Sequence, residues 1–243
     1  EVICLDRSRA ALAIAQARAD ARQLTNIRFI EGSLLNLPAL ELGLVDYIDC
    51  CGVLHHLPDP DSTLAALEAM LAPGGGMGVM VYAPYGRTGV YMVQDALGSL
   101  APVTDAPEVR LDMARRIMRT LPATAWLRPN GNFGDHLSGG DAGLYDLLLN
   151  PRGRSYTITA FMALLSRAGL GPTCLMEPAR YNPALFLPDP KLRAKLAELP
   201  PLEQAAIAEE LTGNMATHVA YVVRKGAAPT PPDPLHYARL PNR

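Results

Sequence analysis

The chain of 243 residues has a formal net charge of −2, and 49% of its residues are hydrophobic, which is the composition of an ordinary globular protein with a sizeable core. Its lysines and arginines are scattered, so no nucleic-acid-binding surface is predicted, and no apolar run reaches the roughly 18 residues that a membrane span needs. The four cysteines form no CxxC pair, which argues against a disulfide scaffold or a zinc knuckle and favours the reducing cytoplasm.

The first third of the chain alternates between strand-like and helix-like patterns. Alanine and leucine at helical spacing predict a helix over 10–21, and a second helix begins with Asp59 as its N-cap and Pro60 at its first position, ending at "APGGG". Short apolar runs predict strands at 2–5, 27–30, 45–54 and 77–82. Because these runs contain few polar residues, we predict a doubly wound, mainly parallel α/β sheet whose strands are buried on both faces.

The rest of the chain departs from this alternation and then returns to it. Residues 83–156 are too long for an ordinary loop, so we expect a helical insertion or cap. The other predicted elements are helices at 89–101, 107–120, 141–149, 157–168, 191–199 and 201–211, and strands at 172–177 and 216–224. We predict one domain over 1–226 and a proline-rich tail over 227–243. The sequence begins at Glu1 and enters a strand at once, from which we expect that the natural N-terminus, and with it the first strand, is missing.

Ligands bind beyond the carboxyl ends of the strands in open α/β sheets, and two of the predicted strands end in residues that suit a nucleoside. Asp6 could accept hydrogen bonds from both hydroxyls of a ribose, including that of NAD, or it could be a solvated aspartate that caps the next helix. Gly32 would let a flat ring approach the backbone, and Ser33 could bond an adenine edge, although this pair also occurs in plain turns.

A third predicted strand is followed by the adjacent histidines His55 and His56. Adjacent residues on a loop point in different directions, and no carboxylate lies within the three residues before the pair, so pocket lining is favoured over metal binding. A buried strand provides no positive charge to activate Cys50 or Cys51, and both are expected to be small core residues.

Four segments, "VICLDRS", "IRFIEGSLLNLP", "VDYIDCCGVLHHLPDP" and "LAPGGGMGVMVY", follow one another within residues 1–82. Together they resemble the successive motifs of class I S-adenosylmethionine-dependent methyltransferases. The resemblance implies a Rossmann-like fold, S-adenosylmethionine as the cofactor and methyl transfer as the reaction. The later half of the chain resembles the less specific remainder of a bacterial subgroup.

The resemblance also assigns roles to residues. Asp6 matches the acidic ribose ligand of the family, and Gly32 with Ser33 matches its adenine-contacting glycine and aspartate, with serine in place of aspartate. The implied cofactor-binding positions are Asp6, Gly32, Ser33, Leu34, Cys51, Gly52 and Val53. The family's glycine-rich first motif, together with the central strand that carries it, is absent from the sequence, so we expect weak cofactor binding or none, and an inactive chain.

Ubiquinone-biosynthesis O-methyltransferases, in the same superfamily, carry metal-binding glutamates and a histidine in the stretch equivalent to 52–56. Gly52 and His55 stand here where the acidic ligands would be. No metal site is therefore predicted.

Methyl transfer from a sulfonium is an in-line displacement, so the protein mainly aligns the acceptor and excludes water. His55 or His56 could take a proton from an acceptor that keeps one until attack. The insertion would roof a pocket for an unidentified small molecule. The candidate substrate residues are Tyr82, Tyr85, Tyr91, Arg152 and Arg154. The two arginines could instead be a solvated pair, and His136 and His218 could be structural.

Two other functions stay open at this point. A nicotinamide-dependent Rossmann oxidoreductase also has an acidic residue at the end of a strand, but its glycine fingerprint would lie in the missing segment. A non-catalytic, methyltransferase-like module could bind a partner through its helical insertion. The "HHLPDP" and "PGGG" segments favour the methyltransferase. The sequence does not indicate an oligomeric state.

Overall fold

The computed structural model describes residues 1–128, 139–150 and 153–227. Its strands are β1 (Val2–Asp6), β2 (Ile27–Glu31), β3 (Val45–Cys51), β4 (Leu71–Tyr82), β5 (Leu170–Leu175) and β6 (Thr217–Arg224). Its α-helices are α1 (Arg9–Ala21), α2 (Pro60–Ala69), α3 (Val90–Leu100), α4 (Pro107–Thr120), α5 (Gly140–Leu149), α6 (Ile158–Arg167), α7 (Pro190–Ala197) and α8 (Pro201–Thr212). Arg152, His136 and residues 228–243 of the predicted tail lie outside the described residues.

The strands form two hydrogen-bonded groups. Strands β1 and β2 pair in parallel, and a second sheet has the order β3-β4-β6-β5, in which β3 and β4 are parallel while β6 is antiparallel to both of its neighbours. Within the described part of the chain, β1 pairs only with β2 and β3 only with β4, so each has one edge without a strand neighbour. The predicted α/β class with helices around a sheet is confirmed.

The prediction that the first three strands are buried on both faces is wrong. Val2 of β1 is 50% exposed, Tyr47 of β3 is 53% exposed, and Cys50 is the buried residue of β3. The open edges of β1 and β3 leave these strands accessible, and α1 buries only Leu12 and Ala19. Strand β4 has neighbours on both edges, and its second half is largely buried.

Strand β4 begins earlier than predicted. The segment 73–76, expected as the end of a helix, belongs to the strand. Its residues fit because the pairing with β3 shifts register, from Val45 opposite Leu71 to Tyr47 opposite Gly76. The proline and glycines lie on the β4 side of this register shift. A regular strand interior disfavours these residue types.

Helix α2 confirms the predicted capping. The Asp59 carboxylate accepts a hydrogen bond from Ser62 N at 3.0 Å, and Pro60 occupies the first turn, where a missing N–H removes no intrahelical bond. Leu64 and Leu67 are buried against the sheet as their spacing predicts.

The helices α3, α4 and α5 pack around a core of their own. Val90 and Leu97 of α3, Ala114 of α4 and Leu148 of α5 are buried together in it. The buried Arg110 side chain ties the group together, because it donates to backbone carbonyls at Ala101 and Leu149 and to the Tyr145 hydroxyl. No α-helix in the described residues is long and apolar enough to cross a membrane.

A buried polar chain connects β6 to two other elements. His218 Nε2 lies 3.0 Å from Glu209 Oε1, and His218 Nδ1 lies 3.0 Å from the Tyr181 hydroxyl. Glu209 Oε2 also accepts from Ile158 N at 2.8 Å, at the start of α6. With Nε2–H donating to the carboxylate, Nδ1 accepts the Tyr181 proton, and burial raises the pKa of Tyr181 to about 12, which keeps that proton in place. His218 is therefore a satisfied core histidine.

Replacing Glu209 should destabilise the fold strongly. Glu209→Ala leaves the His218 and Ile158 N–H groups buried without an acceptor, and we expect the free energy of unfolding to fall by about 2–5 kcal/mol. Urea denaturation measures the change. The exposed neighbour Glu210 offers a matched control, since Glu210→Ala should cost no more than about 0.5 kcal/mol. Equal effects of the two substitutions would contradict the network.

Candidate functional site

The ends of β1 and β2 are joined at Asp6 and Gly32. Gly32 N donates to the backbone oxygen of Asp6 at 3.0 Å, and Asp6 Oδ1 accepts from Ser8 N at 2.7 Å. Ser8, rather than Asp6, is the N-cap of α1, because its hydroxyl accepts from Ala11 N. The exposed Asp6 carboxylate thus keeps Oδ2 without a hydrogen bond in the described residues, where it can accept one from a ligand.

The turn after β2 is closely packed at Gly32. A Cβ atom at Gly32 would lie 3.1 Å from Leu5 Cδ1, closer than an ordinary contact, so a side chain at this position would crowd the strand end. The Ser33 hydroxyl accepts from Leu35 N at 3.3 Å and so begins the 3-10 turn Leu34–Leu40, while its own proton is left to donate. Leu34 is half-buried against the main core.

The end of β3 brings three more of the predicted cofactor positions together. Cys51 is exposed, which corrects the expectation that it is a core residue, whereas Cys50 is buried as predicted. Burial raises the pKa of Cys50 to about 12 and that of Cys51 to about 11, so both thiols stay protonated and unreactive. Gly52 has a φ of 80°, and Val53 packs against the main core.

The Tyr82 ring, at the end of β4, contacts histidine rings and a guanidinium group. The His55 ring centre and the Arg87 guanidinium carbon each lie 3.7 Å from the centre of the Tyr82 ring. Two groups cannot share one position over a ring, so they occupy opposite faces. His56 lies edge-on to His55 with ring centres 4.2 Å apart, and the Tyr91 ring is 5.8 Å from the Arg87 guanidinium. We call these five residues the ring column.

His55 is the most unusual member of the ring column. It is fully buried, and neither Nδ1 nor Nε2 has a hydrogen-bond partner in the described residues. Burial, with smaller contributions from the charges of His56 and Arg87, lowers the pKa of His55 from 6.5 to about 3. His55 is therefore neutral at ordinary pH and presents one donor nitrogen and one acceptor nitrogen. Buried polar atoms without partners are rare enough to require an explanation.

Opposing effects act on the pKa of His56. Burial lowers its pKa, the negative charge of Asp146 opposes that effect, and Arg87 adds to it. Its Nδ1 lies 3.3 Å from Asn150 Nδ2. A cavity of about 490 Å³ is lined by Ala142, Tyr145 and Asp146 of α5 and by Asn150, which directly follows that helix. His56 lies beside this cavity through its contact with Asn150.

The structure separates the other predicted substrate residues. Tyr82 and Tyr91 join the ring column, but Tyr85 is exposed in the 3-10 turn before Arg87. Arg154 touches the site through its backbone, since its N–H donates to the His55 carbonyl at 2.9 Å.

Three residues of the site were not predicted from the sequence. Arg87 lies between the predicted substrate residues Tyr85 and Tyr91, and the segment "YGRTG" with its two glycines was the available signal. Asp146 and Asn150 belong to a helix whose polar face carries no motif. Within the described residues, no group of three or more His, Cys, Asp or Glu side chains could hold a metal ion.

Comparison with known proteins shows what the first third of the chain resembles. Residues 1–77 match a family model described as a methyltransferase domain. An uncharacterized protein of Synechococcus sp. is 31% identical over 240 residues, which are 95% of this chain and 55% of that protein. A ubiquinone biosynthesis O-methyltransferase of Albidiferax ferrireducens is 35% identical over 75 residues, 31% of this chain and 30% of that enzyme.

A solved structure shares the fold over most of the chain. PKMT2 from Rickettsia typhi in complex with AdoHcy superposes with a TM-score of 0.68 at 17% identity, covering 93% of this chain and 45% of that one. The chain thus spans about half the length of the first relatives that it matches.

The neutral, buried His55 should make the fold sensitive to acid. In the unfolded chain this histidine regains its ordinary pKa of 6.5, so below that pH the unfolded state binds a proton that the folded state does not bind until about pH 3. The free energy of unfolding should therefore decrease from pH 7.5 to pH 5, with up to about 2 kcal/mol of the loss due to His55.

Urea denaturation at the two pH values measures this loss. His55→Gln should remove most of the His55 share, whereas His56→Gln should remove less, because Asp146 favours the charged form of His56. The same pH dependence in the wild type and in His55→Gln would show that His55 is not the group responsible.

Proposed function

We propose that this chain, which belongs to the class I S-adenosylmethionine-dependent methyltransferases by its family match and its Rossmann-like fold, transfers a methyl group from S-adenosylmethionine to a small-molecule acceptor. The observation that carries the proposal is the match of the methyltransferase-domain model to residues 1–77, since this segment contains the ends of β1, β2 and β3. The comparison gives no support to the alternative of a nicotinamide-dependent oxidoreductase.

The residues at these strand ends fit a nucleoside cofactor. Asp6 Oδ2 would accept from the ribose hydroxyls, Gly32 would lie under the adenine, and the Ser33 hydroxyl would donate to an adenine nitrogen. Gly52 and Val53 would border the methionine part. When bound, S-adenosylmethionine provides a methyl group already activated on its sulfonium.

His56 is the better placed of the two histidines to take a proton from the acceptor. A general base works best with a pKa near the operating pH, and a pKa of about 3 makes His55 a poor proton acceptor. The Asp146 carboxylate would balance the charge of protonated His56. With the Asn150 amide turned so that its oxygen accepts from Nδ1–H, His56 Nε2 carries the lone pair that accepts the proton.

His55 would instead orient the acceptor. Its two buried nitrogens can accept one hydrogen bond and donate another without changing protonation state. The cavity of about 490 Å³ beside His56 has the size of a small-molecule site. The site thus divides into a cofactor side at β1 to β3 and an acceptor side at the ring column and α5.

Binding of S-adenosylhomocysteine tests the cofactor side. Saturation-transfer NMR, which detects weak ligands, should show binding to the chain, and Asp6→Asn should weaken it roughly 10- to 150-fold, because a hydrogen bond to a charged group is lost. Asp20→Asn, an exposed aspartate on α1, is the matched control and should leave binding unchanged.

NADH serves as the competing ligand in the same experiment. It should neither bind nor displace S-adenosylhomocysteine. Binding of NADH alone, or of neither ligand, would contradict the proposed function.

A further inference from the structure

We infer that helices α3 and α4 carry a second binding site, which holds an aliphatic carboxylate with its chain in an apolar cavity and its carboxylate group on Arg128. The site goes beyond the proposed function, because it uses none of the residues assigned to the cofactor side or to the acceptor side. It also lies outside the segment that the family model matches.

The cavity lies where α3 and α4 meet the segment 121–127. Its volume is about 400 Å³, which falls within the range of about 300–1,000 Å³ that is typical of small-molecule sites. Its lining includes Met92 and Ala96 of α3, Ile117 of α4, Trp126 and Leu127. None of the described residues that line the cavity carries a charge, so the cavity suits the apolar part of a ligand.

Large apolar side chains of the lining are exposed to solvent. Met92 is 58% exposed, and Trp126 is 62% exposed. Met92 and Ala96 are one helical turn apart and share an exposed face of α3, beside the face on which Val93 is buried. Grouped exposed apolar side chains are typical of interaction sites, and an aliphatic chain in the cavity would remove part of this surface from water.

The backbone on one side of the cavity is held in place. Gly89 and Leu127 both line the cavity, and a Cβ atom at Gly89, where φ is 92°, would lie 2.3 Å from Leu127 N. This close approach requires a glycine and fixes the end of the segment 121–127 against the start of α3. The cavity is therefore formed before a ligand binds, which lowers the free-energy cost of binding.

Arg128 provides a positive charge at the edge of the cavity. Its Nε donates to the carbonyl of Leu121, a lining residue, at 2.9 Å, and Arg128 directly follows Leu127. Arg128 is exposed, and no carboxylate of the described residues forms a salt bridge with it. The terminal guanidinium nitrogens can donate to both oxygens of a carboxylate. A ligand with an aliphatic chain and a carboxylate group matches both the lining and this charge.

The single tryptophan of the chain reports on occupancy of the cavity, because Trp126 lines it. Octanoate, titrated below its micelle concentration, should shift the Trp126 emission saturably to shorter wavelength as the exposed indole is covered. Octylammonium has the same chain and the opposite charge, and it should bind at least about fivefold more weakly. Arg128→Gln should weaken octanoate binding roughly fivefold, the effect of one exposed ion pair, and should not weaken octylammonium binding.

Filling the cavity gives the second test. Ala96→Phe places a ring in the cavity and should weaken the binding of both probes at least about tenfold. Ala17→Phe, at an exposed alanine of α1, is the matched control and should bind both probes as the wild type does.

The outcomes separate this inference from the proposed function. Circular dichroism checks that the variants fold, and if Ala96→Phe does not, Arg128→Gln and the two probes decide. No saturable shift, a shift only above the micelle concentration, equal binding of the two probes, or wild-type octanoate binding by Ala96→Phe or Arg128→Gln would overturn the site. S-adenosylhomocysteine binding, measured on the same samples, reports on the cofactor side independently.

Discussion

The position of Tyr82 determines how the two halves of the site meet. Tyr82 is the last residue of β4, and its carbonyl accepts a hydrogen bond from Tyr156 N at 2.8 Å. This bond fixes the end of the helical insertion beside β4. Its ring separates neutral His55 from the cation Arg87. The loop after β3 and the loop after β4 therefore contact the Tyr82 ring, and the chain before α6 is hydrogen-bonded to its backbone.

This arrangement keeps an uncharged histidine and a guanidinium within one buried region. Burial of the imidazole is the main cause of the low pKa of His55, and the charges of His56 and Arg87 add to it. His56 lies nearer to solvent and to Asp146, and it keeps a more ordinary ability to accept a proton. The two adjacent residues are both histidine. They nevertheless have different chemistry, because they differ in burial and in their charged neighbours.

Much of the fold follows from local sequence patterns. The capping of α2 by Asp59 and the spacing of its leucines depend on nearest neighbours along the chain, and such signals are readable without a structure. The strand ends at Asp6 and Gly32 were predicted for the same reason. Burial of β1 and β3 was not, because it depends on which strands lie at their edges, and the exposure of Cys51 follows from that arrangement.

The acceptor side was predictable only in part. Tyr82 and Tyr91 were predicted as walls of a pocket roofed by the insertion, and the two histidines were predicted from their place after a strand. The position of Arg87 depends on contacts of Gly86 and Gly89 with segments distant in sequence. Asp146 lies in α5 and Asn150 directly follows it, and both act on His56. No periodic pattern in this segment distinguishes the two residues from ordinary solvent-exposed polar residues. Residues brought together by tertiary packing alone leave little trace in a single sequence.

Ultraviolet cross-linking of methyl-labelled S-adenosylmethionine, followed by peptide mapping, tests whether the ends of β1, β2 and β3 bind the cofactor. We expect labelled peptides from residues 29–36 and 50–57, with labelling suppressed by excess S-adenosylhomocysteine and not by NADH. Labelling confined to other segments, or labelling that S-adenosylhomocysteine does not suppress, would contradict it.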